Sequence, residues 1–116
     1  MTRRELIGLC LSYPFVYEDY PFDEFPDDPG AWTLMRHSEN KKSFAFIFER
    51  GELCVNLKCE PAQADLLRQL WPGVTPAYHM NKEHWNTVRP AAVPDEVLRE
   101  LVERSYRLTL PKRRQA

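Results

Sequence analysis

Apolar residues recur along this chain at two spacings, and the switches between them mark out its elements. Leu6, Ile7, Leu9, Cys10 and Leu11 form a broad stripe at helical spacing. Thr2 and Glu5 stand as in a capping box, and Pro14 pushes its predecessor out of the helical region, so a first helix is predicted from Arg3 to Ser12. After a short extended piece around Phe15 to Tyr17, the stretch from Tyr20 to Gly30 contains Pro21, Pro26 and Pro29, which can sustain neither a ladder nor a helix, and it reads as a loop. Three strand-like runs follow, Ala31 to His37, Ser43 to Glu49 and Glu52 to Lys58, joined by short polar turns that predict an antiparallel meander.

Phe44-Ala45-Phe46-Ile47-Phe48 is apolar at every position, as a strand covered on both faces requires. Leu53, Val55 and Leu57 alternate with Cys54, Asn56 and Lys58, which predicts one core face and one wetter face. Pro61 opens a second helix, Ala62 to Trp71, whose Leu66, Leu67, Leu70 and Trp71 make an apolar stripe ended by Pro72-Gly73. From Val74 to Val88 a weaker alternation is broken at Met80 to Glu83, giving two short strands around a polar turn. Pro94, with Asp95 and Glu96 at the positive helix end, starts a last helix to about Leu108, striped by Val97, Leu98, Leu101, Val102 and Tyr106. The order of helix, strands, helix, two strands and helix predicts one α+β domain over residues 1–116, with helices on one face of an antiparallel sheet.

Composition adds little, because 43% apolar and 28% charged residues are ordinary for a globular chain. No run approaches the roughly 18 apolar residues that cross a bilayer. The start, Met1-Thr2-Arg3-Arg4, leads into an amphipathic stretch without a small-residue cleavage site, so no membrane partner and a cytoplasmic setting are expected. Cys10, Cys54 and Cys59 are odd in number and lack CxxC spacing, which predicts buried free thiols. Charge changes the picture more. Tyr17 to Gly30 carries six acids and no base, so a chain of net charge −1 leaves +5 elsewhere, including the tail Pro111 to Ala116, expected to be mobile.

The candidate chemistry is thin. His79 and His84 lie five apart, which fits neither a helical HExxH nor a Cys2His2 pattern, and no metal or other cofactor is expected. No GxSxG elbow or glycine-rich phosphate loop occurs, so no catalytic residue is assigned and the chain is read as a non-enzyme. Basic side chains recur on turns and strand faces, and two groups, Lys41-Lys42 and Lys82, stand on turns expected to project toward a phosphate backbone. Trp85 beside Lys82 offers stacking.

Several blocks resemble the MmcQ/YjbR family, small bacterial domains with a CyaY-like, or frataxin-like, fold. They are Cys10-Leu11-Ser12 with Pro14, Tyr20-Pro21-Phe22, Trp32 to His37, Asn40 to Ala45, Val55 to Pro61, Tyr78 to Val88 and Ser105-Tyr106, nearly the whole chain. His79-Met80-Asn81-Lys82-Glu83-His84-Trp85-Asn86 is the most specific of them. The resemblance implies a cytoplasmic regulatory domain that binds double-stranded DNA through a double-wing motif, with wings at Asn40-Lys41-Lys42 and Asn81-Lys82 and no catalytic residues. The expected nucleic-acid surface is Arg36, Lys41, Lys42, Lys58, Asn81, Lys82, His84, Trp85 and Arg89, on a monomer or weak dimer. The alternative is a non-enzymatic module for a partner or small ligand, with His79, Asn81, His84 and Trp85 lining a polar concavity. The likeness to frataxins also raises iron, but frataxins look acidic along the first helix, where this chain has Glu5 alone after Arg3-Arg4.

Overall fold

Thr2 and Glu5 close the expected capping box: the Thr2 hydroxyl accepts from the Glu5 N–H at 3.1 Å, and the Glu5 carboxylate accepts from the Thr2 N–H at 2.9 Å. They start α1, Arg3–Leu11. The computed structural model describes residues 1–25, 28 and 30–114, so the readings of Pro26, Asp27 and Pro29 in the loop, and of Gln115 and Ala116 in the tail, lie outside the described residues. The strands are β1 Val16–Asp19, β2 Thr33–His37, β3 Ser43–Glu49, β4 Leu53–Lys58, β5 Val74–Pro76 and β6 Trp85–Val88. With α2, Pro61–Leu70, and α3, Asp95–Leu108, they complete the α+β architecture. All strand pairs are antiparallel in the order β1-β2-β3-β4-β6-β5, because the chain crosses from β4 through α2 to the far edge and β6 then fills the gap.

One face of the sheet carries the core. Met35, Ala45, Ile47, Val55, Leu57 and Val88 meet Leu6, Ile7 and Cys10 of α1 and Leu98, Leu101, Val102 and Tyr106 of α3. A bulge helps to build it: Met35 faces Ala45 but Arg36 faces Ser43, so Phe44 has no partner of its own and its ring meets Tyr106 edge-on at 5.3 Å. At the bulge the hydroxyl of Ser105 stands in for a ladder bond, donating to the Phe44 carbonyl at 2.5 Å and accepting from the Lys58 N–H at 2.8 Å.

The structure departs from the sequence pattern at three places and adds a turn in the tail. Half of the α2 stripe packs on the core: Leu67 and Trp71 lie against it, whereas Leu66 and Leu70 are 46% and 59% exposed, and Ala64 is the buried residue of the helix. The supposed wetter face of β4 is dry, with Cys54 and Asn56 buried. The acids of 17–30 do not all lie in the loop, since Glu18 and Asp19 stand on β1, where the Asp19 carboxylate holds Arg36 at 2.7 Å. The tail forms a 3-10 turn at Lys112–Arg114, where Arg113 pairs with Glu39 at 2.6 Å and Arg114 pairs with the same carboxylate. Among the described residues no helix is long and apolar enough to cross a membrane.

Two stability measurements test this packing. Leu98→Ala, at a fully buried position, is expected to cost about 2–5 kcal/mol in urea denaturation. Leu66→Ala, which the sequence stripe would rank as equally damaging, is expected to stay within about 0.5 kcal/mol. His37 is buried against Phe44 and Tyr106 with Nε2 2.7 Å from the Thr109 hydroxyl, and burial holds its pKa below the ordinary value. The unfolded chain therefore takes up this proton first. The contribution of His37 is whole above about pH 6.5 and declines as pH falls from there toward the depressed folded value. Urea midpoints from pH 7.5 to 5 should fall less steeply in His37→Gln than in the parent.

Candidate functional site

Asn56 and Thr87 stand directly opposite each other on β4 and β6, on the face that the helices leave open. The Thr87 hydroxyl donates to Asn56 Oδ1 at 2.5 Å, which leaves one side-chain donor and one acceptor facing outward. The peptide of Tyr78 takes both: its N–H donates to Thr87 Oγ1 and its carbonyl accepts from Asn56 Nδ2, each at 2.9 Å. This closed ring of bonds pulls the segment 77–84 back over the sheet, so the expected polar turn between β5 and β6 does not project as a free wing.

The rest of the segment is pinned as firmly. Asn81 Oδ1 accepts from the N–H groups of Glu83 at 2.8 Å and His84 at 3.3 Å, and the Asn81 carbonyl accepts from the Trp85 N–H at 3.0 Å. Arg68 of α2 donates to the Lys82 carbonyl and, at 2.7 Å, to Asn86 Oδ1. His79 sits at φ 60°, a left-handed conformation uncommon for a residue with a Cβ. Beneath lies an aromatic layer: Trp32 stacks on Phe48 with centroids 4.2 Å apart, Tyr78 lies 5.7 Å from Phe48, and Trp85 meets Phe46 edge-on at 5.4 Å. Phe46 and Phe48 thus supply the second covered face of β3.

Between the folded-back segment and the ends of β4, β5 and β6 opens a concavity of about 580 Å³. Cys54, Thr75 and Thr87 contribute to its floor, and Arg50, His79, Lys82 and Arg89 to its rim and walls. Arg50 lies 4.0 Å over the Tyr78 ring, placed by the β3–β4 hairpin that Gly51 closes at φ 77°. Arg89 reaches Glu52 at 3.8 Å. No carboxylate lines the concavity among the described residues.

The expected nucleic-acid residues separate into groups. Lys41 and Lys42 are exposed on the β2–β3 turn, and Lys58, paired with Trp85, ends β4 on the same side of the sheet. That turn is stiff: Lys41 sits at φ 61°, its N–H donates to the His37 carbonyl at 2.8 Å, and Asn40 caps the Lys42 N–H and bonds the Thr109 carbonyl, both at 3.0 Å. Lys82 and Asn81 belong to the folded-back segment that precedes β6. Arg36 is occupied by Asp19 and the Lys41 carbonyl, and Arg89 lies at the opposite end of β6. His79 and Asn81 line the concavity, whereas His84 and Trp85 do not.

Sequence reasoning counted Arg50 among the basic residues on turns without placing it in a site, and it left out Asn56, Thr75 and Thr87. Their only signal is polar residues in alternation on facing strands, which reads as a solvent face. It also kept the tail apart from Lys41-Lys42, although Glu39 joins them. Cys10, Cys54 and Cys59 are free and buried, and burial pushes the Cys10 thiol up to about 12. Among the described residues no three His, Cys, Asp or Glu side chains cluster as metal ligands.

The family model described as YjbR matches residues 11–108. The uncharacterized protein YyaQ of Bacillus subtilis is 34% identical, with 94% of this chain and 98% of that protein covered. A crystal structure of a Pseudomonas syringae protein superimposes with a TM-score of 0.81 at 31% identity, covering 95% of this chain and all of that one. A Deinococcus radiodurans protein with a DUF419 domain gives 0.79 at 34% identity, covering 96% and 80%.

Thr87→Val keeps the shape but strips the hydroxyl from the bond ring, leaving the Asn56 carboxamide oxygen and the Tyr78 N–H without partners. It is expected to cost about 1–3 kcal/mol in denaturant unfolding and to speed amide exchange in residues 77–84 more than in α3. Unchanged exchange in that segment would mean that the ring does not hold it.

Proposed function

This chain belongs to the YjbR family, and we propose that it is a DNA-binding regulatory domain that grips the duplex backbone with the basic end of its sheet. The observation that carries this reading is the separation of charge along the strand direction. At one end, the β2–β3 turn and the C-terminal 3-10 turn bring Lys41, Lys42, Lys112, Arg113 and Arg114 around a single acid of their own, Glu39. At the other end, the loop from β1 to β2 holds Asp23, Glu24 and Asp28. A molecule polarised in this way turns one end toward a polyanion and the other away.

The two segments suit backbone contact rather than base reading. Lys41 and Lys42 are exposed cations on a turn stiffened by Asn40 and the His37 carbonyl, so little freedom is lost when they meet phosphates. Lysine, a compact hydrated charge, supports attraction to phosphate without demanding a base. Lys58 and Lys82 extend the same end across β4 and β6, and Trp85 is half-buried on Phe46, which favours a bracing role over stacking with a base.

Fluorescence anisotropy with a labelled duplex tests the proposal. About four neutralised phosphates predict a log–log salt slope near −3.6, or roughly a hundredfold weaker binding between 50 and 200 mM salt. Lys41→Ala with Lys42→Ala should reduce the slope by about two units on any duplex sequence. Absence of binding at 50 mM salt, or a slope unchanged in the double variant, would refute it.

A further inference from the structure

The concavity on the open face of the sheet has properties that contact with a duplex at the basic end does not use. Its volume of about 580 Å³ is that of a small-molecule site. Three of its lining side chains, Arg50, Lys82 and Arg89, carry permanent positive charge, and His79 adds a fourth nitrogen donor. Among the described residues only Arg89 of these has an acidic partner, Glu52, at the loose separation of 3.8 Å. Among the described residues no carboxylate lies within ion-pair distance of Arg50 or Lys82. Uncompensated like charges around one hollow destabilise each other, and a concave wall focuses their field, so an anion entering it relieves the repulsion.

The arrangement is also pre-formed. Arg50 is held over the Tyr78 ring, Tyr78 is locked to Asn56 and Thr87, and Lys82 belongs to a segment tied down by Arg68. Two guanidinium groups with an ammonium group match a phosphate bearing two or more charges better than a single carboxylate, since each guanidinium offers a planar pair of donors to tetrahedral oxygens. The floor adds the hydroxyl-bearing Thr75, suited to a neutral polar part of the ligand.

We propose that this concavity is a binding site for a small organic phosphate of about mononucleotide size, held by Arg50 and Arg89 with Lys82 and His79 at the rim. The site shares Lys82 with the proposed duplex surface but not Lys41 and Lys42, and Arg50 and Arg89 belong to the concavity alone, so variants at those positions distinguish its failure from a failure of duplex binding. Calorimetric titration of the full chain with inorganic pyrophosphate and with adenosine 5′-diphosphate is the test, with adenosine as the uncharged control. Both phosphates should bind and raise the melting temperature, and adenosine should do neither.

Arg50→Ala and Arg89→Ala should each weaken binding about tenfold or more, the loss of a charge-assisted contact, while Arg50→Lys loses less and Lys41→Ala with Lys42→Ala loses nothing. Melting of the unliganded variants shows that they fold. If Arg89→Ala does not, Arg50→Ala and the exposed Lys82→Ala carry the test. Lack of binding by either phosphate, or binding indifferent to Arg50 and Lys82, overturns the proposal. So does displacement of pyrophosphate by duplex DNA that itself weakens in Arg50→Ala, because the concavity would then be a seat for backbone phosphates.

Discussion

The carboxamide of Asn56 decides what the open face of this sheet becomes. A fully buried amide has to satisfy both its oxygen and its nitrogen, and here a hydroxyl from the facing strand takes one and a carbonyl 22 residues away takes the other. Because Thr87 passes the bond on to the Tyr78 N–H, the pair behaves toward Tyr78 as a neighbouring strand would. That contact folds 77–84 onto the sheet, sets Tyr78 against Phe48 and under Arg50, and leaves the concavity beside it. Removing either polar group would leave orphaned bonding groups in a dry layer.

A second constraint is electrostatic. Acids and bases close in sequence are distributed by the meander to opposite ends of the strands, because the β1–β2 loop and the β2–β3 turn point in opposite directions. The structure then pairs several arginines of the sheet and of α2 with acids. Arg36 is tied to Asp19, Arg89 to Glu52 and Arg68 to Asp65, while Lys41, Lys42 and Lys82 at the turns have no ion-pair partner among the described residues. The free positive charge is therefore concentrated at one end and in one hollow, and a net charge of −1 hides both.

Much of the architecture was readable without coordinates. The capping box, the β3 boundaries and the three helices follow from caps, prolines and periodicity, which act within a few residues of where they are written. The same local reasoning failed where a neighbour distant in the chain decides burial. Leu66 and Leu70 look like core residues, yet α2 lies at the β5–β6 edge of the sheet and turns these two side chains to solvent. Asn56 looks like a surface residue, yet Tyr78 covers it. Lys112, Arg113 and Arg114 look like a loose tail, yet Glu39 gathers them beside the β2–β3 turn.

By itself, then, the sequence determined the elements, their order, the α+β class and, through the block from His79 to Asn86 and its companions, the family. These depend on short-range backbone preferences and on side-chain identity, which a linear string states directly. Only the tertiary structure decided which polar residues are dry, which cations remain free and where a hollow opens. Each of those turns on pairs such as Asn56 with Tyr78, Arg50 with Tyr78 or Glu39 with Arg113, whose separations of 22, 28 and 74 positions are closed only when turns and loops fold back against the sheet.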